Sequence, residues 1–309
     1  MVATRTDMQG PSVSPSWNPV ADIQLLFQYH FMHNAYLAGT IVAVVAGVIG
    51  YYMVLRGQSF AGHALAHVGF TGATGALLLG LSPLAGLLAV GVASALGMGA
   101  LERRGTVAGG EQSVAIAAVF TFGLGLGLLF LQLYSGQAQN AYAILFGAVL
   151  GVSDGDVLAI ALTGVVALLG LGLMARPLLF ASLDPEVALA RGVPVRAVST
   201  AFLVLLAFAV AQAVQVVGIL LIFALLVTPA ATAQRLTSRP SVAVGLSVLL
   251  ALLFTWLGLA VAYFAPYAVV GFYITTLAFA AYLAVRLITA VRQRGRSLRV
   301  ASPRGRVAA

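Results

Sequence analysis

The sequence predicts an all-α membrane protein. It should be a polytopic bundle of about nine spans (eight or nine), with its amino end outside and its carboxyl end in the cytoplasm. Three observations predict this. Hydrophobic residues make up 61% of the 309 residues and charged residues only 8%, against about 25% charged in a soluble domain. The apolar residues fall into separate runs, each close to the roughly 20 residues that cross a bilayer. Of the 16 basic residues, all of them arginine, every one but Arg5 follows an alternate run or lies in the tail. Cytoplasmic loops gather arginine in this way, and the opposite loops lack it.

The runs are roughly 36–55, 61–81, 84–102, 112–133, 156–175, 197–214, 216–235, 241–263 and 268–288. Arg56 follows the first of them. Glu102, Arg103 and Arg104 follow the third, and Arg176, Arg191 and Arg196 the fifth. Arg235 and Arg239 follow the seventh, and Arg286 to Arg306 the ninth. Residues 197–235 form one apolar stretch that has to fold back near residue 215. As a single helix its 39 residues would be about 58 Å long. Residues 139–152 are apolar but too short to cross and lie in an outer gap, so a re-entrant or interfacial segment is expected there. Residues 23–34 suggest a short interfacial helix before the first span.

Three regions follow: a disordered extracytoplasmic tail over 1–21, a transmembrane domain over 22–290, and a basic cytoplasmic tail over 291–309. The first 21 residues have prolines among serines and neither a basic start nor an apolar core, so they do not have the pattern of a signal peptide.

Composition removes several functional classes. The mean hydropathy is +1.04 and the isoelectric point about 10.3. The arginines are spread over membrane-flanking loops and do not line one face, so nucleic acid is not an expected partner. With no cysteine there are no thiolate metal sites, disulfides or thiol redox chemistry. With no lysine there is neither a P-loop lysine nor Schiff-base chemistry.

The residue types that carry chemistry are few. All four histidines lie in the first 70 residues, as His30, His33, His63 and His67. His63 and His67 are spaced i, i+4, so on a helix both rings leave one face. Two such imidazoles can share one divalent cation at about 2.0–2.1 Å; alternatively each ring bonds a neighbouring hydroxyl or carbonyl. Ionisable groups in a span usually face the bundle interior or a water-filled path. Position 64 is alanine, so the glutamate base of a His-Glu-x-x-His metalloprotease is missing. His30 and His33 could meet an incoming cation or be interfacial side chains. Asp154 and Asp156 could attract cations or sit in a solvated loop.

The inner loop 177–197 contains Asp184-Pro185-Glu186, which supplies an N-cap, a proline at the first helical position and an acid in the first turn. Gly192 and Pro194 end the segment after Arg191. A short amphipathic helix is expected, too short to be stable alone, and so either a partner-supported element or an ordered connector. Pro229, in Val227-Thr228-Pro229-Ala230, should kink or break the seventh run near its inner end and could serve as a hinge. Gly72, Ala76 and Gly80, and also Gly123 and Gly127, form small-residue faces suited to close helix packing.

In order and spacing these markers resemble the membrane permease subunit of ABC importers for divalent metals (zinc, manganese or iron). The markers are Phe31-Met32-His33-Asn34-Ala35, Val54-Leu55-Arg56-Gly57-Gln58-Ser59-Phe60, Gly62-His63-Ala64-Leu65-Ala66-His67, Leu145-Phe146-Gly147, Asp184-Pro185-Glu186 with Gly192-Val193-Pro194, and Pro229-Ala230-Ala231-Thr232-Ala233. The resemblance covers about residues 26–288. It implies a multi-pass protein of the bacterial plasma (inner) membrane that pairs as a homodimer and sits on two cytoplasmic ATPase subunits. Metal would arrive from an extracellular binding lipoprotein. The chain would be a transport subunit and not itself an enzyme, with no permanently bound cofactor. Its cargo would be Zn2+ or Mn2+, moved by alternating access.

In that family an acid followed four residues later by a histidine is implicated in the metal path. His67 matches the histidine, and His63 stands where the acid is expected. The more nitrogen-rich pair shifts the expected cargo toward zinc over manganese. Asp184, Pro185, Glu186, Arg191 and Gly192 would form the coupling helix that seats in the ATPase.

Two other classes compete. A permease for a chelated metal such as cobalamin or an iron-siderophore needs no imidazole pair. A secondary cation transporter would need intramembrane carboxylates, and no Asp or Glu lies mid-run.

Overall fold

The computed structural model describes residues 29–103, 109–134, 143–147, 149–219, 221–264 and 270–300. The tail expected over 1–21, the last nine residues, and residues 139–142 and 148 of the segment 139–152 lie outside the described residues.

Among the described residues the chain is helical, with no strand. In order the helices are α1 His30–Leu55, α2 Ser59–Leu78, α3 Pro83–Arg103, α4 Gly109–Leu133, α5 Asp154–Leu183, α6 Pro185–Ala190, α7 Val195–Val217, α8 Ile222–Leu236, α9 Pro240–Phe264 and α10 Val270–Val300. Apart from the six-residue α6, each overlaps one apolar run, with α5 and α10 extending 8 and 12 residues past the ends of theirs and α8 starting six residues late. Six of them (α1, α3, α5, α7, α9 and α10) are long and apolar enough to cross a membrane by length and composition. His63, His67 and four glycines dilute the apolar character of α2. At 15 residues, α8 is only about 22 Å long.

Local chemistry accounts for the helix ends. Gly57, at φ 66°, turns the chain between α1 and α2. Pro83 and Pro240 open α3 and α9, where a missing N–H costs nothing. Ser153 and Asp156 form a capping box at the start of α5. The fold-back within 197–235 comes between the end of α7 at Val217 and the start of α8 at Ile222, a few residues beyond the expected point. Pro229 sits inside α8, and the helix continues on both sides of it, so the chain is not broken there. Residues 30–34 belong to α1, so from residue 30 onward there is no separate interfacial helix.

α1 and α7 form the centre. In their apolar windows 61% and 78% of residues are buried, against 11% in α10. The outward faces carry bare apolar side chains such as Leu173, 89% exposed, and Phe122, 73% exposed, as a lipid-facing surface requires. α2 and α3 cross where Gly72 meets Gly86, and a β-carbon on either would strike the other's carbonyl oxygen. The small-residue face expected at Gly72 and Ala76 is this contact.

Cross-helix hydrogen bonds fix which helix ends lie together. His30 Nε2 lies 3.0 Å from Asp154 Oδ1, and Asn34 Nδ2 donates to the same oxygen at 2.6 Å. The starts of α1 and α5 are therefore neighbours. At the other end of α1, Gln234 Nε2 donates to Tyr51 O at 3.2 Å, and Arg56 donates to Ser182 Oγ at 3.1 Å and to Ser199 Oγ. The ends of α1, α5 and α8 thus share one side with the start of α7. Trp256 Nε1, late in α9, donates to Thr40 Oγ1, early in α1, at 2.9 Å.

Candidate functional site

α2 delivers His63 and His67 from one face, as the i, i+4 spacing requires. Their ring centroids are 4.5 Å apart and the planes are inclined at 70°. Two phenylalanines enclose them. Phe120 of α4 lies 5.0 Å from the His67 ring, edge-on, and 5.8 Å from His63. Phe223, in the first turn of α8, lies 5.4 Å from His63. His67 is 9% exposed, and its Nδ1 is enclosed with no hydrogen-bond partner among the described residues. His63 is half-buried. The alternative in which each ring bonds a nearby hydroxyl or carbonyl is therefore not what the fold builds at His67 Nδ1. Among the described residues no group of three or more His, Asp or Glu side chains is arranged so that it could hold a metal ion.

Phe120 and Phe223 were not legible as site residues. One is an ordinary apolar residue in a spanning run. The other gains its position only from where the chain refolds after residue 221.

The loop expected over 177–197 begins later than expected: α5 runs on through Pro177 to Leu183, and from Asp184 onward the segment folds as its capping residues indicate. Asp184 caps α6, its Oδ1 accepting from Val187 N at 3.0 Å, with Pro185 in the first turn and Glu186 beside it. Arg191 is the C-cap. Gly192 follows at φ 79°, a left-handed conformation that glycine adopts without strain. Val193 N returns to Ala188 O at 3.0 Å. Ala188 is buried against the bundle, while Val187 and Leu189 are 43% and 57% exposed.

On the opposite side, residues 143–147 pack on the junction between α7 and α8. Ile219 N donates to Ile144 O at 3.2 Å. Gly147 and Gly218 both have positive φ, at 83° and 82°. At this end of the bundle His30 and Asn34 meet Asp154, more than 100 positions further along the chain, a pairing that sequence spacing does not connect. Asp156 is occupied in capping α5, its Oδ2 accepting from Ser153 N at 3.1 Å.

Comparison with known proteins places this architecture. Residues 28–289 match the model of the ABC 3 transport family. The manganese transport system membrane protein MntC of Halalkalibacterium halodurans is 35% identical over 214 residues, covering 69% of this chain and 72% of that protein. The chelated iron transport system membrane protein YfeC of Yersinia pestis is 33% identical over 213 residues, covering 69% and 71%. The solved structure of PsaBC from Streptococcus pneumoniae in complex with Fab matches with a TM-score of 0.77 at 29% identity. It covers 86% of this chain and 94% of that one.

Helical architecture and relatives together define a multi-pass transport component of the bacterial plasma membrane. The chain belongs to the ABC 3 transport family.

Proposed function

We propose that the chain is the permease subunit of an ABC importer for a bare divalent metal ion, and that His63 and His67 form its transit site. The observation that carries this reading is the pair of imidazoles 4.5 Å apart on one face of α2. At that separation, ring nitrogens can converge on one cation at about 2.0–2.1 Å. The enclosed, unpartnered Nδ1 of His67 is the kind of group a passing cation satisfies. The relatives named for manganese and for iron support a first-row metal as cargo. Two neutral nitrogen donors, with no carboxylate between them, favour zinc over manganese.

In the full reading, nine helices cross the membrane with the amino end outside. The neighbouring ends of α1, α5 and α8 are consistent with that alternation, and the arginines mark their side as cytoplasmic. Two copies of the chain pair around the path, two ATPase subunits seat on α6, and a metal-binding lipoprotein delivers the ion from outside. ATP closure of the ATPases moves α6. Pro229, which removes one hydrogen bond within α8, gives a point to bend to the helix that carries Phe223 in its first turn.

The test is uptake by the complex of permease, ATPase and binding lipoprotein reconstituted in vesicles, with zinc and manganese in competition. Uptake that depends on ATP, prefers zinc and collapses in His67→Ala is the expected result. ATP-independent uptake, or uptake unchanged in His67→Ala, would refute the proposal.

A further inference from the structure

We infer that Arg56 is a positioning residue, a joint that carries movement of the coupling loop into the helix bearing the histidines. This rests on the reading of α6 as the ATPase-docking element. Arg56 is the C-cap of α1, and its half-buried guanidinium reaches three other helices. Nη1 donates to Ser182 Oγ at 3.1 Å; Ser182 lies in the last turn of α5, two residues before the Asp184 cap. Nη2 donates to Ser199 Oγ, in the first turns of α7, where the chain returns from the loop. One side chain therefore pins both strands of the loop that presents α6. Nε donates to Gln58 Oε1 at 3.2 Å, and Gln58 is the N-cap of α2, five residues before His63. The guanidinium carbon also stands 5.7 Å over the ring of Phe202 in α7, within cation–π range.

The geometry needs arginine. A planar fork with several fixed N–H directions can serve Ser182, Ser199 and Gln58 together, whereas a lysine ammonium is a point charge on a flexible stem. Ser199 is 3% exposed, and Ser182 Oγ is itself held by donating to Leu178 O at 2.5 Å, so both acceptors are fixed in place. A shift of the loop base displaces the guanidinium, and the guanidinium pulls on the start of α2. Rigid contacts between packed elements are what carry coupling between distant sites.

The experiment measures metal ions moved per ATP hydrolysed by the full complex in vesicles, for Arg56→Lys, Arg56→Gln and the double variant Ser182→Ala/Ser199→Ala. Leu189→Asp on the exposed face of α6 is assayed for ATPase retention. The expected result for Arg56→Lys is a complex that keeps its ATPase and hydrolyses ATP, while ions per ATP fall about fivefold or more, the lower end of typical coupling between linked sites. The double serine variant should fall in the same direction by less. An unchanged ratio in Arg56→Lys, or uptake and hydrolysis falling in proportion, overturns the role of Arg56. Should Arg56→Gln fail to assemble, an unchanged ratio in the double serine variant overturns it equally. Leu189→Asp is expected to shed the ATPase. If it keeps the ATPase, the docking reading of α6 fails; if it sheds the ATPase while Arg56→Lys stays fully coupled, the Arg56 inference alone fails.

Discussion

Gly147 and Gly218 meet backbone to backbone. A β-carbon on Gly218 would collide with Gly147 N and Leu145 O, and one on Gly147 with Val216 O. Both residues also hold positive φ. The contact seats residues 143–147 on the break between α7 and α8, one turn from Phe223. Gly218→Ala should therefore destabilise the permease by more than the roughly 1–3 kcal/mol of backbone strain alone, because the collision with main chain adds to it. A drop in the thermal midpoint of detergent-purified protein, together with lower yield, is the expected reading. A midpoint equal to that of the parent would show that the junction can open to admit a methyl group.

The imidazole pair makes a selectivity prediction. His63→Asp replaces one nitrogen donor with a carboxylate, and hard oxygen ligands suit manganese better than imidazole does. The ratio of zinc to manganese uptake should fall, by about tenfold if one donor type contributes about 1.4 kcal/mol of preference. Isotope competition in reconstituted vesicles measures this, and a ratio that stays put would remove His63 from the transit site.

Asp184 caps a helix of six residues, too short to hold itself. Asp184→Ala should cost about 0.5–2 kcal/mol locally and loosen the presented face of Val187 and Leu189. Weaker ATPase retention on co-purification, with membrane insertion unaffected, is expected. Asp184→Asn, which keeps an accepting oxygen, should retain most of the binding. Equal loss in both variants would point to the charge and not the cap.

Pro229 is buried within a continuous α8. If it serves as a bending point, Pro229→Ala should stiffen α8, leave ATPase association intact and lower the rate of metal uptake. The assay is initial uptake rate at saturating metal and ATP. A rate equal to the parent would mean that the missing hydrogen bond has no part in the transport cycle.

The apolar runs were legible because they are properties of consecutive residues, and each run lies largely within one helix. The α6 helix was legible to within a residue or two of its end, because its cap, first-turn proline and terminating glycine are all local. So was the shared face of His63 and His67, since i, i+4 spacing fixes it on any helix. The separate interfacial helix was not found from residue 30 onward. Nothing in residues 30–34 breaks a helix, and α1 runs on through them.

What surrounds those local features was decided only by packing. Phe120 and Phe223 reach the histidines from helices whose relative position no spacing encodes. The enclosure of His67 Nδ1, the pairing of His30 with Asp154, and the reach of Arg56 to Ser182 and Ser199 join residues from 53 to 143 positions apart. Which segments form long apolar helices, which residue types are available for chemistry and where the loop around α6 turns could be read from the chain alone, because hydrophobic patterning and helix capping act locally along it. Which side chains share a cavity, and which helix pulls on which, was settled by the tertiary structure, because contacts at van der Waals range depend on how whole helices cross.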